Sequence, residues 1–324
     1  MMLQSWLFWL FILTESALLL RAGVVLKGAF QAPFSAHPDQ DISIVIPLKG
    51  WDRSLPALIH KLLHQHFDKA LEIILVVDQN NPHLWQLPQA PQIVIKPSFP
   101  LAKGWRDKNW RLYQGSQTAR YQTLLFLDSD VAIDDNYLRY RLGAHRQDLS
   151  FSIPLYTHLT KNAGHFLASC TNFLNFSIYK FGFSLGRIGS AIGPSMLLTA
   201  DRSVVYRALQ ATKGEVADDH ALGYWFFKNG YRVHCCQEPV YVAAGGNESW
   251  RHNLKQLIRW FSLPRTISHL LTPRGALILT VCAILNAMSF LWIVAGLLTT
   301  LFYTMTNGLL FLYGGFIIML SETV

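Results

Sequence analysis

Four apolar residues, Leu124 to Leu127, end abruptly in Asp128-Ser129-Asp130. An uninterrupted apolar run of this length is typical of a strand buried on both faces of a sheet. Open α/β sheets place their ligands beyond the carboxyl ends of such strands, so these acids stand where a ligand site is expected. Taken alone, the same residues fit a polar turn that caps the following helix equally well.

Asp128 and Asp130 also have the chemistry of a cation site. Carboxylate oxygens are the hard ligands that Mg²⁺ and Mn²⁺ prefer, and a diphosphate commonly fills the remaining positions of such an ion. The sequence therefore offers a metal site as the alternative to a simple turn.

Strands and helices alternate through the middle of the chain. Expected strands are Ile42–Ile46, Leu71–Val77, Val94–Lys96 and the run that ends at Asp128, with helices expected over Leu55–Phe67 and Asn109–Ala119. This alternation predicts an α/β fold with a mostly parallel sheet and right-handed crossovers. Asp78 follows the second strand, so two strands end in a carboxylate at the same edge of the sheet.

The pattern is less regular after Asp130. Gly189 to Thr199 is rich in Gly and Ser, which indicates either a close approach of the backbone to a ligand or a tight turn. Asp218 and Asp219 then open a helix that ends at Asn229-Gly230, and Tyr231–His234 resumes as a strand. One acid can cap the helix, which leaves the other free to face a site.

Both ends of the chain are apolar. Leu3–Leu20 is followed by Arg21 and Lys27, as in an uncleaved anchor whose downstream side lies in the cytoplasm. Ala276–Leu298 and Leu301–Leu320 lack charged residues and are long enough for a transmembrane hairpin, with buried core helices as the alternative. These features predict an integral protein of the plasma (inner) membrane, with its site facing the cytoplasm.

Charge and cysteine content narrow the class of partner. The net charge is +8, but no dense basic run with interleaved aromatic residues indicates nucleic acid. Basic residues cluster before the hairpin, where anionic lipid explains them: Arg251, Lys255, Arg259, Arg265 and Arg274. Adjacent Cys235 and Cys236 favour a reduced compartment. His60, His64 and His66 could bind zinc, although a solvated helix face is the commoner explanation.

The order of these motifs resembles that of family-2-type, GT-A-fold inverting glycosyltransferases. Asp78, Asp128-Ser129-Asp130 and Asp218-Asp219 are followed by Gln256-Leu-Ile-Arg259-Trp260, which is similar to the Q-x-x-R-W signature. The resemblance covers roughly residues 40 to 270, and the order of the motifs makes it more specific than any one of them.

Two lipid-modifying branches of that class are the most similar. Pro47-Leu48-Lys49-Gly50 resembles the P-L-K-G of ceramide glucosyltransferases. The segment from Gly104-Trp105 through Lys108 and Trp110 resembles G-W-x-G-K-x-W of hopanoid- and carotenoid-associated enzymes, with Asp107 in place of a glycine. Asp128-Ser129-Asp130 also contains a second acid that the corresponding motif of the ceramide enzymes lacks. The resemblance therefore leaves the acceptor open.

The resemblance implies a role for each matching residue. Asp78, Lys108, Asp128 and Asp130 would bind the nucleotide-sugar donor, and Asp130 with Asp128 would hold Mg²⁺ or Mn²⁺. Asp219 would be the catalytic base. The acceptor and diphosphate side would comprise Asp218, Gln256, Arg259 and Trp260.

The predicted domains are an anchor at 1–27, a GT-A catalytic domain at 40–250, an interfacial helix at 251–274 and a transmembrane hairpin at 275–324. The predicted function is transfer of a hexose, with UDP-glucose as the expected donor, to the hydroxyl of a membrane lipid such as ceramide, diacylglycerol, a hopanoid or a carotenoid. A processive polysaccharide synthase and an inert membrane scaffold that keeps the fold are the alternatives.

Overall fold

The computed structural model describes residues 40–79, 81–143, 147–156, 179–183, 189–236, 239–242 and 266–281, with isolated helical positions elsewhere. The chain divides into two compact units. One comprises 32–173 and 189–272 and contains the sheets and the candidate site. The other comprises 1–31, 174–188 and 273–324, and its described residues are helical at 179–183 and 273–281.

The predicted membrane segments fall largely beyond what the structure describes. Within the described residues, no helix combines the length and apolar character needed to cross a bilayer. The anchor at 1–27 and most of the hairpin at 275–324 lie outside those residues, as does most of 251–265. The anchor, the hairpin and the interfacial helix therefore remain predictions.

Ten strands are described, in two sheets. Their bounds are β1 Ile42–Pro47, β2 Leu71–Val77, β3 Ile93–Pro97, β4 Thr123–Leu127, β5 Val131–Ala132, β6 Leu149–Ser152, β7 Pro154–Tyr156, β8 Ser195–Leu198, β9 Val233–Cys235 and β10 Val240–Val242. The larger sheet has the order β3-β2-β1-β4-β8-β6-β9, and the smaller has the order β5-β10-β7.

Most neighbours in the larger sheet are parallel. The pairs β1–β2, β2–β3, β1–β4 and β6–β9 run parallel, whereas β8 is antiparallel to both β4 and β6. The predicted mostly parallel α/β fold is thus confirmed. The reversed β8 was not predicted, because its four residues follow a Gly- and Ser-rich stretch that reads as a loop.

Five α-helices have defined bounds in the described part of the unit that contains the sheets: α1 Leu55–Leu63, α2 Asp107–Thr118, α3 Tyr137–Gly143, α4 Arg202–Ala211 and α5 Asp218–Lys228. Short 3-10 helices occupy Leu84–Gln86 and Ser268–Leu270. Helix α1 ends before the predicted Phe67, because the residues after it bond to another segment instead of continuing the helix: His66 N–H donates to Asp135 O, and Gln65 Nε2 donates to Asp134 O.

Helix α2 lies unusually close to the sheet. A Cβ on Gly115 would come within 2.3 Å of Val45 Cγ1 and 2.9 Å of Val76 Cγ2, so only glycine allows this approach. Strands β1, β2 and β4 are almost fully buried along their length, as their apolar runs predict. Close packing against this rigid core fixes the first turn of α2 at the carboxyl edge of the sheet.

Candidate active site

A cavity of about 440 Å³ opens at this edge of the sheet. Residues from the loop after β1, the start of α2 and the turn after β4 line it together: Pro47, Lys49, Asp52, Asp107, Lys108, Arg111, Asp128, Ser129 and Asp130. Three cationic side chains thus face four carboxylates across one concave surface.

Asp78 holds the loop after β1 in place. Its Oδ2 accepts a hydrogen bond from the N–H of Gly50 at 2.9 Å, and Arg111 Nη2 donates to its Oδ1 at 2.5 Å. The Gly50 N–H and Arg111 hold the pKa of Asp78 below its usual range, although burial opposes them. Gly50 has a φ of 73°, a conformation that glycine adopts at little cost.

Arg111 connects several parts of the wall. Its side chain is buried, it donates to the carbonyl of Leu48 at 2.6 Å, and it bonds to both Asp78 and Asp107. Asp107 lies one turn earlier on α2, so the pair is also an i,i+4 contact within the helix. Asp107, which stands in place of the second glycine of the G-W-x-G-K-x-W motif, therefore helps to hold Arg111 in position.

Lys108 is surrounded by acids. Its Nζ lies 2.8 Å from Asp128 Oδ1 and 3.3 Å from Asp218 Oδ2, which joins the turn after β4 to the start of α5. Burial alone would lower the pKa of Lys108, but Asp128, Asp218 and Asp219 outweigh it and raise that pKa. Lys108 is therefore a permanent positive charge at the centre of the site.

The ionised form of Asp130 is electrostatically unfavourable in the folded protein. Burial first, then the charges of Asp128 and Asp52, raise its pKa to about 6 from an ordinary 3.8. Asp52 is fixed by Ser54 and accepts from Ser129 Oγ at 3.0 Å, which ties the loop after β1 to the turn that carries Asp130. An arrangement that repels its own negative charge is suited to a bound cation.

Asp219 is held at the start of α5 by two backbone donors. Its Oδ2 accepts from the N–H of Gly193 at 2.8 Å, and its Oδ1 accepts from the N–H of His220 at 2.8 Å. Each carboxylate oxygen retains a second lone pair, so the group can still accept a proton. Its neighbour Asp218 is partly buried, with its side chain 19% exposed, and desolvation raises the pKa of that carboxyl although Lys108 opposes it.

The described part of the chain brings most of the predicted residues together. Asp128, Asp130 and Lys108 line the cavity, Asp78 bonds to its wall through Arg111, and Asp218 bonds to Lys108. The charge of Asp219, on α5, contributes to the raised pKa of Lys108. Gln256, Arg259 and Trp260 lie outside the described residues, so their predicted place remains a prediction.

Zinc is not supported at the three histidines. The rings of His60 and His64 stack at 4.2 Å, His64 Nδ1 bonds to His60 O, and His66 bonds to Asn136. Within the described ranges, no group of three or more His, Cys, Asp and Glu could hold a metal ion by itself. Any ion between Asp128 and Asp130 would therefore need ligands from substrate or water. Within the described residues, Cys235 and Cys236 form no disulfide, and the reduced compartment stays a prediction.

Four charged cavity residues were missed at the sequence level: Lys49, Asp52, Asp107 and Arg111. Arg111 was detectable, since it lies three positions after Lys108 on the same helical face. Lys49 and Asp107 were noted only as parts of motifs. Asp52 carries no sequence signal, because only the folded loop after β1 brings it to Ser129.

The sequence pattern of one protein family matches residues 7–320, nearly the whole chain, and that family is described as glycosyl transferase family 21. The chain belongs to glycosyl transferase family 21. The predicted enzyme class is confirmed: this protein is a glycosyltransferase. The narrower resemblance to ceramide-, hopanoid- and carotenoid-modifying branches stays a prediction, as does inversion.

Solved structures with weak similarity to this glycosyltransferase have low sequence identity. A mannosyltransferase from Pyrobaculum calidifontis, in complex with GDP-Man and Mn²⁺, is 12% identical, with 95% of this chain and 98% of that chain covered and a TM-score of 0.45. Mannosyl-3-phosphoglycerate synthase from Rubrobacter xylanophilus is 13% identical; the match covers 73% of this chain and 76% of that chain, with a TM-score of 0.40.

Glucosyl-3-phosphoglycerate synthase from Mycobacterium tuberculosis, in complex with Mn²⁺, UDP-glucose and glycerol 3-phosphate, is 13% identical to the family 21 chain. The match covers 72% of this chain and 85% of that chain, with a TM-score of 0.39. Among curated proteins, none matches it.

Proposed function

We propose that this glycosyltransferase moves a hexose, with inversion, from a nucleotide sugar to the hydroxyl of a membrane lipid, and that the donor is UDP-glucose. The observation that carries the proposal is the cavity at the carboxyl edge of the sheet, where Asp128 and Asp130 face Lys108 and Arg111. Carboxylates for a cation and fixed cations for phosphate are what a diphosphate leaving group requires.

Asp128 and Asp130 fit a divalent cation, Mg²⁺ or Mn²⁺. Burial and the charges of Asp128 and Asp52 raise the pKa of Asp130, and a bound cation would offset both effects. Two carboxylates suffice for an ion that takes its other ligands from phosphate and water. When bound, such an ion would neutralise charge on the departing diphosphate. Solved enzymes with partial similarity contain Mn²⁺ together with GDP-Man or UDP-glucose.

The cationic side chains serve the same leaving group. Lys108 and Arg111 project from one face of α2 into the cavity, and their positions are fixed by Asp128 and by Asp78 with Asp107. Preorganised charges of this kind stabilise the diphosphate as its charge develops, without reorganising during the reaction. Asp78 is 45% exposed beside this wall and is the proposed contact for the nucleotide base.

Asp219 is the proposed general base. Inversion needs an acceptor for the hydroxyl proton on the side of the sugar opposite the leaving group. Asp219 belongs to α5 rather than to the turn after β4, and two backbone N–H groups hold its carboxylate in one orientation. The proton passes from the lipid hydroxyl to Asp219 as the new glycosidic bond forms and the bond to the diphosphate breaks.

The lipid acceptor is supported by the ends of the chain. The apolar segments Leu3–Leu20, Ala276–Leu298 and Leu301–Leu320 favour an integral protein of the plasma membrane, with its site facing the cytoplasm where nucleotide sugars are available. Gln256, Arg259 and Trp260 lie in the basic segment that precedes the predicted hairpin, and they are proposed to line the acceptor and diphosphate side together with Asp218.

The test is product identification. Purified full-length protein is incubated with labelled UDP-glucose, UDP-galactose or GDP-mannose and a total lipid extract, with and without a chelator. The expected product is a lipid heavier by one hexose, formed from UDP-glucose and lost on chelation. Label in a long polymer would replace the proposal with a processive synthase, and no transfer from any donor would favour an inert scaffold.

A further inference from the structure

Residues 189–194, which we call the bridging segment, connect Asp128 on the proposed donor side to Asp219, the proposed base. At one end, Asp128 N–H donates to Pro194 O at 2.8 Å. One residue earlier, Gly193 N–H donates to Asp219 Oδ2 at 2.8 Å. A single short stretch of backbone therefore sets the position of the proposed base relative to the donor side of the cavity.

The bridging segment can occupy this place only because glycine stands at two contacts. Gly193 has a φ of 113°, and a Cβ there would come within 2.7 Å of Ser152 O. On the other side, a Cβ on Gly223 of α5 would come within 2.1 Å of Ala191 N. The segment is thus packed against the backbone of both α5 and β6.

A buried polar pair fastens the segment to α5. Ser190 Oγ and His220 Nδ1 share a hydrogen bond of 2.6 Å, and the two residues are 0% and 2% exposed. Burial lowers the pKa of His220, so its ring is neutral at neutral pH. A hydrogen bond between neutral groups in a dry environment is directional and costly to leave unmade, which makes it an effective positional constraint.

We infer that Ser190 and His220 are positioning residues, which clamp the bridging segment to α5 and so hold Asp219 in register with the donor-binding acids. The inference rests on the proposed role of Asp219 as the base. His220 follows Asp219 directly and contributes its own N–H to that carboxylate, so movement at either end of the clamp reaches the proposed base. Neither Ser190 nor His220 touches the cavity, so neither is a catalytic residue.

The test separates turnover from donor binding. In Ser190→Ala the clamp is lost without added volume, and we expect kcat to fall roughly ten- to a hundred-fold, because small displacements of a reacting group are that costly. The dissociation constant for UDP-glucose should change by less than about two-fold, since the donor side keeps its contacts. His220→Asn, whose amide can reach the position of Nδ1, should restore part of the lost kcat when compared with His220→Ala.

Ser116→Ala is the matched control, because Ser116 is also a fully buried serine with a hydroxyl hydrogen bond but lies on α2 away from Asp219. If Ser190→Ala and Ser116→Ala lower kcat equally, the clamp has no special role. Failure of the underlying function gives a different result, because Asp219→Asn would then retain full turnover. Equal loss in His220→Asn and His220→Ala, with donor binding also lost, would show a purely structural contribution and overturn the inference.

Discussion

At the scale of single residues, the site is defined by where negative charge is tolerated. Asp78 is stabilised by a backbone N–H and a guanidinium, so the pKa of its carboxyl is lowered. For Asp130, burial and the charges of Asp128 and Asp52 outweigh its own backbone N–H and Lys108, so the pKa of that carboxyl is raised. The difference separates Asp78, an acid that holds the loop after β1, from Asp130, the proposed ligand of a cation.

Asp219→Asn should remove the proton acceptor while keeping the side-chain shape. We expect kcat to fall at least about a hundred-fold, the lower range for general-base catalysis, with nucleotide-sugar binding largely intact. Steady-state kinetics and calorimetric titration of UDP-glucose measure the two quantities. Asp201→Asn provides the control, since Asp201 caps α4 at the surface and should leave kcat unchanged. Wild-type turnover in Asp219→Asn would remove Asp219 from the mechanism.

Asp130→Asn should stabilise the metal-free protein above pH 6. The folded state disfavours the ionised carboxylate, so this residue costs stability once the pH exceeds its ordinary value of 3.8, and the cost is complete above about 6. We expect the free energy of unfolding near pH 8 to rise by about 1–3 kcal/mol, following the size of the shift. The gain should disappear as the pH falls to about 4.

Denaturant unfolding of both proteins over this pH range, with a chelator present, provides the measurement for Asp130→Asn. A gain that does not vary with pH would locate the effect elsewhere than in the charge of Asp130. The same variant should also lose metal-dependent donor binding, and unchanged metal dependence would contradict its role as a ligand.

At the scale of elements, α2 is the part that presents cations to the cavity. Gly115→Ala should push this helix away from Val45 and Val76, with a loss of about 1–3 kcal/mol in unfolding free energy from overpacking. Because Lys108 and Arg111 move with the helix, the KM for the donor should rise as well. Ser116→Ala on the neighbouring position should leave donor KM unchanged; an equal rise there would show that α2 position is not what sets donor affinity.

The first half of the sheet could be predicted from the sequence because β1, β2 and β4 are apolar except at Ser43, Glu72 and Thr123. Ile42–Pro47, Leu71–Val77 and Thr123–Leu127 have no face to expose, so their burial and their parallel order follow from composition and alternation. Asp78 and Asp128 could be placed at one edge for the same reason.

The second half could not be predicted, because its elements are short and depend on tertiary contacts. Ser195–Leu198 has only four residues, and it becomes a strand because β4 and β6 both pair with it. Helix α4 is amphipathic but was not recognised between the Gly- and Ser-rich stretch and Asp218. Asp52 reaches the site through hydrogen bonds to Ser129 and Ser54, and sequence spacing gives no sign of such contacts.

At the scale of the whole molecule, we expect this glycosyltransferase to be an integral membrane protein anchored by its apolar end segments. Its charge-free segments Ala276–Leu298 and Leu301–Leu320 are long enough to span one, and basic residues precede them. After alkaline carbonate extraction of membranes, the protein should stay in the pellet with an integral marker. Release into the supernatant with a peripheral marker would show that these segments do not span the bilayer.

The reversed strand β8 gives the sheet a seam with a consequence for how such enzymes diversify. Residues 42–130 contain the proposed donor-binding acids on one side of the seam, and residues 189–228 contain the proposed base on the other. Asp128 N–H to Pro194 O and the Lys108–Asp218 ion pair cross between them. Substitutions away from these two contacts can therefore alter one side at a time, whereas a substitution at Lys108 or Pro194 would move the proposed donor side and the proposed base together.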